Sequence, residues 1–227
     1  MGKLKHLSLR ADLLILVSVL GIIALLYLLI ARNWDLLTDM TANGFSLETF
    51  EDYLSHPDFL DYLLLVLITA LMSAVPFLSS SLIAVVNGVI LGPIFGALVN
   101  LLGLSLGNLT VYFLLSELHI KEKTKKMGNF VEDLSRFKNK ALGLTLGYMI
   151  PFIPSFLVAY TAVDLKVRKR TIVMAILLGA LPSSILYANG GDALIEGNFK
   201  RILGLLVVLG LIAALYSLVK RRRQHKE

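Results

Sequence analysis

The sequence predicts an all-α, polytopic integral membrane protein. Of its 227 residues, 56% are hydrophobic and 17% are charged, and the mean hydropathy is +0.76, whereas soluble domains carry about 45–50% apolar and about 25% charged residues. A soluble fold of this size buries only about 70–75% of its area, so it could not hide that much apolar surface. The chain has no cysteine, which excludes disulfides and thiol chemistry.

Four apolar segments are long enough to cross a bilayer, because a transmembrane helix needs about 20 predominantly apolar residues. We predict full spans at 11–31, 94–117, 171–188 and 202–219. The first run is longer than the apolar region of a signal peptide and ends in Arg32-Asn33-Trp34 rather than at a small-residue cleavage site. It is therefore expected to be an uncleaved anchor helix.

Two further apolar stretches are interrupted by proline, and we predict that they form re-entrant hairpins at 61–91 and 141–163. Glycine and proline end or kink helices. They break the apolar stretch 61–117 at Pro76, Gly88, Gly92-Pro93 and Gly96, and the stretch 141–163 at Pro151 and Pro154. Re-entrant backbone is tolerated only where protein or a water-filled cavity covers it. The pattern therefore favours a transport site.

The positive charges predict the topology. Of the 22 lysines and arginines, 19 lie in the N-terminal ten residues, in 118–140, in 166–170 and in the tail from 220, whereas 32–61 carries seven acids. By the positive-inside rule, the four basic segments and both termini are cytoplasmic. Segments 32–60 and 189–201 are then outside, and the two hairpins enter from opposite faces. We expect a multi-pass protein of the bacterial plasma membrane.

Segment 118–140 is predicted to be a cytoplasmic linker helix that lies on the inner membrane surface. Apolar residues recur at helical spacing among its lysines, at Met127, Phe130, Val131, Leu134 and Phe137. Such a helix binds anionic lipid. No nucleic-acid recognition module accompanies the lysines, so membrane lipids are the expected partners. The predicted core is 61–195, flanked by an N-terminal part (1–60) and a C-terminal part (196–227).

The two hairpins contain an internal repeat. Residues 76–84 read PFLSSSLIA and residues 151–159 read PFIPSFLVA, with five of nine positions identical. The charge pattern independently sends these segments in from opposite faces. Inverted repeats with discontinuous helices at the midplane are the plan of many secondary transporters.

The glycines and prolines then follow a spaced pattern in each half. The first half reads Pro76…Asn87-Gly88-x-x-x-Gly92-Pro93-x-x-Gly96, and the second reads Pro151-Phe152-Ile153-Pro154, Asp164-x-Lys166-x-Arg168, Gly179-x-x-Pro182 and Tyr187-x-x-Gly190. This pattern resembles the DedA superfamily, also described as the VTT-domain or SNARE-associated Golgi protein family with its Tvp and TMEM branch. The resemblance covers about residues 60–195. It implies two facing re-entrant hairpins that move phospholipid or polyprenyl-phosphate head groups between leaflets.

The sequence departs from that family at two charged positions. Family members commonly carry an arginine three residues before the first proline of the second hairpin, where this chain has Tyr148. Many carry an acidic residue beside the proline of the first hairpin, where this chain has three serines at 79–81. The missing charges favour passive equilibration or an unusual substrate over proton-coupled transport of an anion.

We expect the serines of the two hairpins, at 79–81 and 155, to line a polar groove for a head group. Asp164, with Lys166 and Arg168 beside it, is expected to lie near a phosphate. Asn87, Asn100 and Asn108 either line the pathway or form hydrogen bonds between helices. The full predicted substrate pathway is Pro76, Ser79, Ser80, Ser81, Asn87, Gly88, Gly92, Pro93, Gly96, Tyr148, Pro151, Pro154, Ser155, Asp164, Arg168, Gly179, Pro182, Tyr187 and Gly190.

We expect neither an enzyme nor a cofactor or metal site. The G-x-S-x-G match at 103–107 and its G-x-T-x-G counterpart at 143–147 lie in apolar helices, where small residues favour helix packing. The four histidines fall in tails or loops without metal-ligand spacing. The leading hypothesis is a lipid flippase or scramblase. A small ion or solute carrier and a non-transporting scaffold are the alternatives, and a homo-oligomer is left open.

Overall fold

The computed structural model describes residues 57–75, 79–118, 137, 139–150 and 153–224, together with parts of 16–42. Every regular element in this part of the chain is an α-helix. Six helices follow one another: α1 (Phe59–Ala74), α2 (Ser80–Leu118), α3 (Lys140–Met149), α4 (Ser155–Asp164), α5 (Lys169–Ile195) and α6 (Phe199–Gln224). An N-terminal helical stretch, Leu20–Arg32, precedes them.

The long helix α2 consists of two helices joined by a sharp bend at Gly92. Gly92 has φ 72° and ψ −178°, a conformation that side-chain-bearing residues rarely adopt. Across the bend, the Asn87 side chain donates to Asn100 Oδ1 at 2.8 Å. In a straight helix, residues 13 apart would be separated by about 20 Å along the axis. Residues 80–91 (α2a) therefore fold back along residues 93–118 (α2b).

The core consists of two successive sets of three helices, α1, α2a and α2b and then α3, α4 and α5. The helix ends at the interruption in each set lie 75 residues apart in the sequence. Helix α1 ends at Ala74 and α3 at Met149, while α2a begins at Ser80 and α4 at Ser155. The first residues of the two interruptions share one extended conformation, with φ −87° and ψ 119° at Val75, and φ −91° and ψ 114° at Ile150. We call the connection between α1 and α2a break 1 and that between α3 and α4 break 2; the structure describes residues 75 and 79 of the first and 150, 153 and 154 of the second. The repeat found in the sequence therefore extends to the helix boundaries.

Contacts between the elements place the charged segments at two separate ends of the bundle. At the acidic end, Arg32 pairs with Asp58 and Asp61 at the start of α1, and Tyr62 contacts Phe95 at the start of α2b with ring centroids 5.9 Å apart. At the basic end, Lys169 lies 5.8 Å from the Phe113 ring, and Lys140 Nζ donates to the Leu165 carbonyl at 3.5 Å. Both breaks lie between these ends.

Two described helices are long and apolar enough to cross a membrane, Ser80–Glu117 and Lys169–Leu194. The first bends at Gly92, but residues 93–117 alone span about 37 Å, more than the thickness of a bilayer core. Large apolar side chains cover the outer surface of both helices. They include Leu82, Ile94, Phe95, Leu98, Leu102, Leu106, Met174, Leu178, Leu181 and Ile185, each at least 42% exposed. Such a surface is typical of a chain solvated by lipid.

Several boundaries differ from those predicted. The loop expected to begin at 189 begins only after Ile195, because α5 continues to its last turn, where the Glu196 N–H donates to the Asp192 carbonyl. Pro182, within the predicted span 171–188, lies inside α5 without a break. Helix α6 covers the fourth predicted span, 202–219. The first predicted span, 11–31, is helical where the structure describes it, chiefly from Leu20. The linker helix 118–140 falls largely outside the described residues; of its apolar residues, Phe137 is described and is buried against Gly143.

Candidate functional site

A polar cavity of about 150 Å³ lies where the two breaks meet. Nine of its fourteen lining residues carry a hydroxyl or an amide, and none of them carries a charge. The polar lining residues are Ser73, Ser79, Ser80, Ser81, Asn108, Tyr148, Ser155, Ser183 and Tyr187, and the others are Leu104, Ile150, Ile153, Pro154 and Ala180. This cavity, which we call the hydroxyl cavity, contains the serines that the sequence predicted to share a groove.

The two halves of the chain contribute equivalent residues to the hydroxyl cavity. At the offset of 75 residues that relates the breaks, four lining positions of the first half correspond to four of the second. The pairs are Ser73 with Tyr148, Ser79 with Pro154, Ser80 with Ser155, and Asn108 with Ser183. Equivalent positions of the two repeats therefore line the same cavity.

Some hydroxyls of the cavity are held by the protein and others are free. Ser79 Oγ and Ser81 Oγ lie 2.5 Å apart, and Ser183 donates to the Ala180 carbonyl at 2.9 Å. Neither Ser80 nor Ser155 makes a side-chain hydrogen bond within the described residues. Both free serines are half-buried at the first turn of a helix. Their hydroxyls are therefore available to a ligand.

Asn108 supplies an amide to the described lining of the cavity. The residue is 6% exposed, and its Oδ1 accepts a hydrogen bond from Ser73 Oγ at 3.2 Å. Its Nδ2 makes no hydrogen bond to any residue that the structure describes, so it is available to a polar ligand in the cavity. The Tyr148 hydroxyl is buried without a hydrogen-bond partner among the described residues.

Four helix ends border the hydroxyl cavity. Helices α2a and α4 begin at it, at Ser80 and Ser155, and α1 and α3 end beside it, at Ala74 and Met149. Pro154 at the N-cap of α4 makes no side-chain capping hydrogen bond. The first N–H groups and the last C=O groups of a helix have no partner within the helix. The cavity is thus bordered by both backbone donors and backbone acceptors.

Seven of the predicted pathway residues line the hydroxyl cavity, and ten other described ones lie elsewhere. The seven are Ser79, Ser80, Ser81, Tyr148, Pro154, Ser155 and Tyr187. Pro76 and Pro151 fall outside the described residues. Pro93 lines a separate, mostly apolar groove of about 470 Å³ between α2b and α5.

Asn87 is fully buried in a hydrogen-bonded cluster rather than in the cavity. Its amide donates to Thr69 Oγ1 at 2.9 Å and to Asn100 Oδ1 at 2.8 Å. Asn100 in turn donates to the Ala84 carbonyl at 2.8 Å. The cluster joins α1 to both sides of the Gly92 bend. Asn87 was predicted to lie in the pathway; the structure places its amide in this cluster, where it holds the bend, and not among the lining residues of the hydroxyl cavity.

Most of the predicted glycines serve close helix contacts within the chain. A Cβ at Gly88 would lie 2.2 Å from the Ala188 carbonyl oxygen, so α2a and α5 touch backbone to backbone there. Gly96 packs on Asn87 across the bend, and Gly179 packs on Tyr148 behind the cavity. Gly103 and Gly107 of the G-x-S-x-G match pack on α1, which agrees with the predicted packing role. Gly190 faces open space, and neither it nor Pro182 lines the cavity.

Asp164 and Arg168 do not reach the hydroxyl cavity. Both are exposed, in the connection between α4 and α5 at the basic end. Among the described residues, no ion pair joins Asp164 to Lys166 or Arg168. These two positions were expected beside a bound phosphate, and the structure places them at the surface because the turn after α4 carries them away from the breaks.

Three polar lining residues were not among the predicted pathway residues: Ser73, Asn108 and Ser183. The sequence held a signal for two of them, because extending the ungapped repeat beyond its nine matched residues pairs Asn108 with Ser183 at the same offset. That pair lies 28 residues beyond the start of each second hairpin helix. Only folding of α2b and α5 alongside the breaks brings it into the cavity.

At the acidic end, ion pairs of two arginines, which we call the arginine clamps, connect the N-terminal helical stretch and α6 to the core. Arg32 donates to Asp61 at 2.7 Å and also pairs with Asp58. The pKa of Asp58 lies below its usual range because its carboxylate accepts the backbone N–H of Asp61 and faces the Arg32 guanidinium. Arg201 of α6 pairs with Asp192 at 2.5 Å and with Glu196 at 3.1 Å. These clamps lie outside the cavity and are structural.

Comparison with known proteins identifies one family. The family model described as the VTT domain matches residues 75–193, from break 1 to the last turns of α5. No curated protein and no solved structure matches the chain. The matched range contains both breaks and every lining residue of the hydroxyl cavity except Ser73.

Proposed function

The chain belongs to the VTT-domain family, the family of DedA and SNARE-associated Golgi proteins, and on that premise we propose that it is a membrane lipid transporter. It moves phospholipid or polyprenyl-phosphate head groups between leaflets, as a flippase or scramblase, and so supports membrane homeostasis. The family is membrane-associated, and the apolar outer surface of α2b and α5 suits a chain that spans the bilayer.

The observation that carries this proposal is the hydroxyl cavity between two interrupted helices. A head group crossing the apolar core loses its hydration, at a cost of several kcal/mol for each unsatisfied polar group. Free hydroxyls at Ser80 and Ser155, the Asn108 amide and the four helix ends replace that water midway between the two ends of the bundle. The acyl chains stay in the surrounding lipid.

The proposed transport is passive. The described lining of the cavity contains no carboxylate, histidine, lysine or arginine, and no such residue occurs anywhere in 62–116 or 141–163. A proton-coupled carrier needs a side chain that titrates within the membrane. The lipid gradient between the leaflets therefore sets the net direction of transport.

The charge distribution supports an orientation with the basic end in the cytoplasm. The contacts at Lys140 and Lys169 bring two of the four basic segments to one end, and the acids that pair with Arg32 lie at the other. In this orientation both termini are cytoplasmic, break 1 is entered from outside and break 2 from inside. The basic segments would then face anionic lipid of the inner leaflet.

Leaflet exchange in proteoliposomes tests the function. Purified protein is reconstituted with a trace of fluorescently labelled phospholipid, and a membrane-impermeant reductant bleaches the label in the outer leaflet. We expect bleaching to extend to the inner-leaflet label in vesicles that contain protein and to stop at the outer leaflet in empty vesicles. Flux of a soluble substrate without lipid exchange would instead identify a small ion or solute carrier. Absence of both would favour a scaffold.

Cysteine labelling tests whether the breaks face water. The native chain has no cysteine, so each single variant reports one position. Ser79→Cys and Ser155→Cys should react with small water-soluble thiol reagents. Ala84→Cys and Ala159→Cys are matched controls at the same offset, fully buried in the native fold, and should not react. Unreactive cysteines at both 79 and 155 in folded protein would contradict the proposed pathway.

A further inference from the structure

The hydroxyl cavity is rich in hydrogen-bonding groups and carries no formal charge. Six of its nine polar lining residues are serines, two are tyrosines and one is an asparagine. A hydroxyl both donates and accepts hydrogen bonds, and so does an asparagine amide. No aspartate, glutamate, histidine, lysine or arginine occurs in 62–116, 141–163 or 171–191. The segments that form the cavity therefore supply donors and acceptors without any charge.

A charged group inside this cavity would lack a counter-charge. The cost of taking an ion out of water is recovered only through close partners of opposite charge. The charged residues that flank the uncharged segments make their contacts at the ends of the bundle. Asp61 bonds to Arg32 at the acidic end, and Lys140 bonds to the Leu165 carbonyl at the basic end. The cavity therefore disfavours an ammonium.

Several polar groups of the lining have no partner within the protein. Nδ2 of the buried Asn108 makes no hydrogen bond to a described residue, and the Ser80 and Ser155 hydroxyls make none either. One of these groups is a donor only, and the other two both donate and accept. A ligand that satisfies all three must offer several donors and acceptors close together. Neighbouring hydroxyls on one carbon skeleton have this property.

The size and the apolar part of the lining also suit a small polyol. An engineered cavity of about 150 Å³ in another protein binds benzene, so the volume of about 150 Å³ found here corresponds to one six-membered ring. The rings of Tyr148 and Tyr187 and the side chains of Leu104 and Ile150 add apolar surface beside the hydroxyls. A polyol has a C–H skeleton for such surface and hydroxyls for the polar groups.

We propose that the hydroxyl cavity binds the polyol of a lipid head group, such as glycerol, inositol or a single sugar, in preference to a head group that ends in an ammonium. The polyol hydroxyls bond to Ser80, Ser155 and Asn108, while the acyl chains and any phosphate stay outside the cavity. An ammonium only donates, so it leaves the Asn108 N–H groups without an acceptor. This inference rests on the proposed lipid transport and names its substrate class.

The test compares leaflet exchange of three labelled lipids with identical acyl chains in vesicles that contain the full-length protein. The lipids are phosphatidylglycerol, a glucosyl diacylglycerol and phosphatidylethanolamine. We expect both polyol lipids to exchange about tenfold faster than phosphatidylethanolamine, the ratio that a difference of about 1.4 kcal/mol produces. If only one polyol lipid exchanges faster, the inference stands and the result shows whether a phosphate is required or excluded. Phosphatidylethanolamine exchange as fast as that of both polyol lipids overturns the inference and leaves lipid transport standing.

Influx of free inositol into the same vesicles distinguishes a lipid head group from a soluble polyol. Vesicles that shrink in concentrated inositol swell again as it enters, and light scattering follows the swelling. We expect vesicles with protein to swell no faster than empty vesicles. Faster swelling without exchange of any lipid would support the polyol site and overturn lipid transport. Absence of both lipid exchange and inositol influx overturns both proposals.

A carboxylate placed in the cavity tests the same inference in a variant. Ser155→Asp adds a negative charge in the first turn of α4, where the helix N-terminus stabilises it. The ratio of phosphatidylethanolamine to phosphatidylglycerol exchange should rise about fivefold or more, because the ammonium then has a counter-charge. Thr171→Asp, in the first turn of α5 and outside the described lining, is the control and should leave the ratio unchanged. An unchanged ratio in folded Ser155→Asp protein overturns the inference.

Discussion

The two halves of the core share a backbone plan but are held together by different interactions. In the first half, Thr69, Asn87 and Asn100 form a buried hydrogen-bonded cluster. The positions 75 residues later in the second half are Leu144, Ala162 and Ala175, each no more than 2% exposed, in an apolar core. Equivalent positions of the two halves are thus held by directional bonds in the first half and by close apolar packing in the second.

The bends after the two hairpins explain why the halves differ. Gly92 reverses the chain within a single residue, so α2a and α2b lie side by side and need a contact that fixes their relative position. The amides of Asn87 and Asn100 provide it. In the second half a longer connection, 165–168, joins α4 to α5 and contains Lys166 at φ 49°. The apolar core there is shared by residues of α2b, α3, α4 and α5.

The largest expected effect comes from breaking the contact that joins the first hairpin to α5. Gly88→Ala places a Cβ 2.2 Å from the Ala188 carbonyl oxygen. The clash is with backbone, which cannot move aside easily, so we expect destabilisation by about 3 kcal/mol. Gly190→Ala is the matched control, since its Cβ would meet nothing within 4 Å. Thermal unfolding in detergent measures both. Equal melting temperatures for the two variants would contradict the close contact.

Removing the amide cluster should have the next largest effect. Asn100→Ala, which introduces the residue found at the equivalent Ala175, should cost about 1–2 kcal/mol because the buried Asn87 amide loses a partner. The triple variant with Thr69→Leu, Asn87→Ala and Asn100→Ala carries the residues of the second half. It should cost less than the sum of its single changes, since no buried amide is then left unpaired. If the destabilisation of the triple variant equals the sum for the three single variants, the three side chains do not stabilise the bend jointly.

The equivalent serines provide a smaller and more specific comparison. Ser80→Ala and Ser155→Ala each remove a free hydroxyl from the cavity, and we expect each to slow lipid exchange by about threefold, corresponding to about 0.6 kcal/mol per hydrogen bond in a membrane. Thr110→Val removes a hydroxyl that bonds its own helix at Leu106 and is the control. Unequal effects at positions 80 and 155 would show that one half dominates the site.

The smallest expected effect concerns the caps of α1 and α3. The charged Asp58 caps α1, and the neutral Asn139 caps α3. The pKa of Asp58 is lowered in the folded protein. The charged carboxylate therefore stabilises the start of α1 above the ordinary aspartate pKa, and this stabilisation is lost as the pH falls through the folded pKa. Acid should therefore weaken the start of α1 before that of α3. Hydrogen exchange of the first turns at low pH measures this, and Asp58→Asn should abolish the difference.

The helix breaks and the serines of the hydroxyl cavity were predictable from local sequence. Proline and glycine act through backbone geometry within a few residues, so the positions of break 1 and break 2 follow from the repeat itself. The role of Asn87 could not be predicted from local sequence. An amide within the membrane either bonds to a neighbouring helix or lines a pathway, and the tertiary structure decides which of these surroundings it meets. Ser73 was missed for the same reason, since its partner Asn108 is 35 residues away.

The sequence by itself determined that the chain is an all-helical membrane protein with two interrupted, repeated segments, because hydropathy, charge and helix-breaking residues act locally or over the whole composition. Only the tertiary structure decided which polar groups meet. The reversal at Gly92 and the backbone contact at Gly88 bring α2a, α2b and α5 together. That packing sends the Asn87 amide into the protein interior and leaves the Asn108 amide facing the cavity.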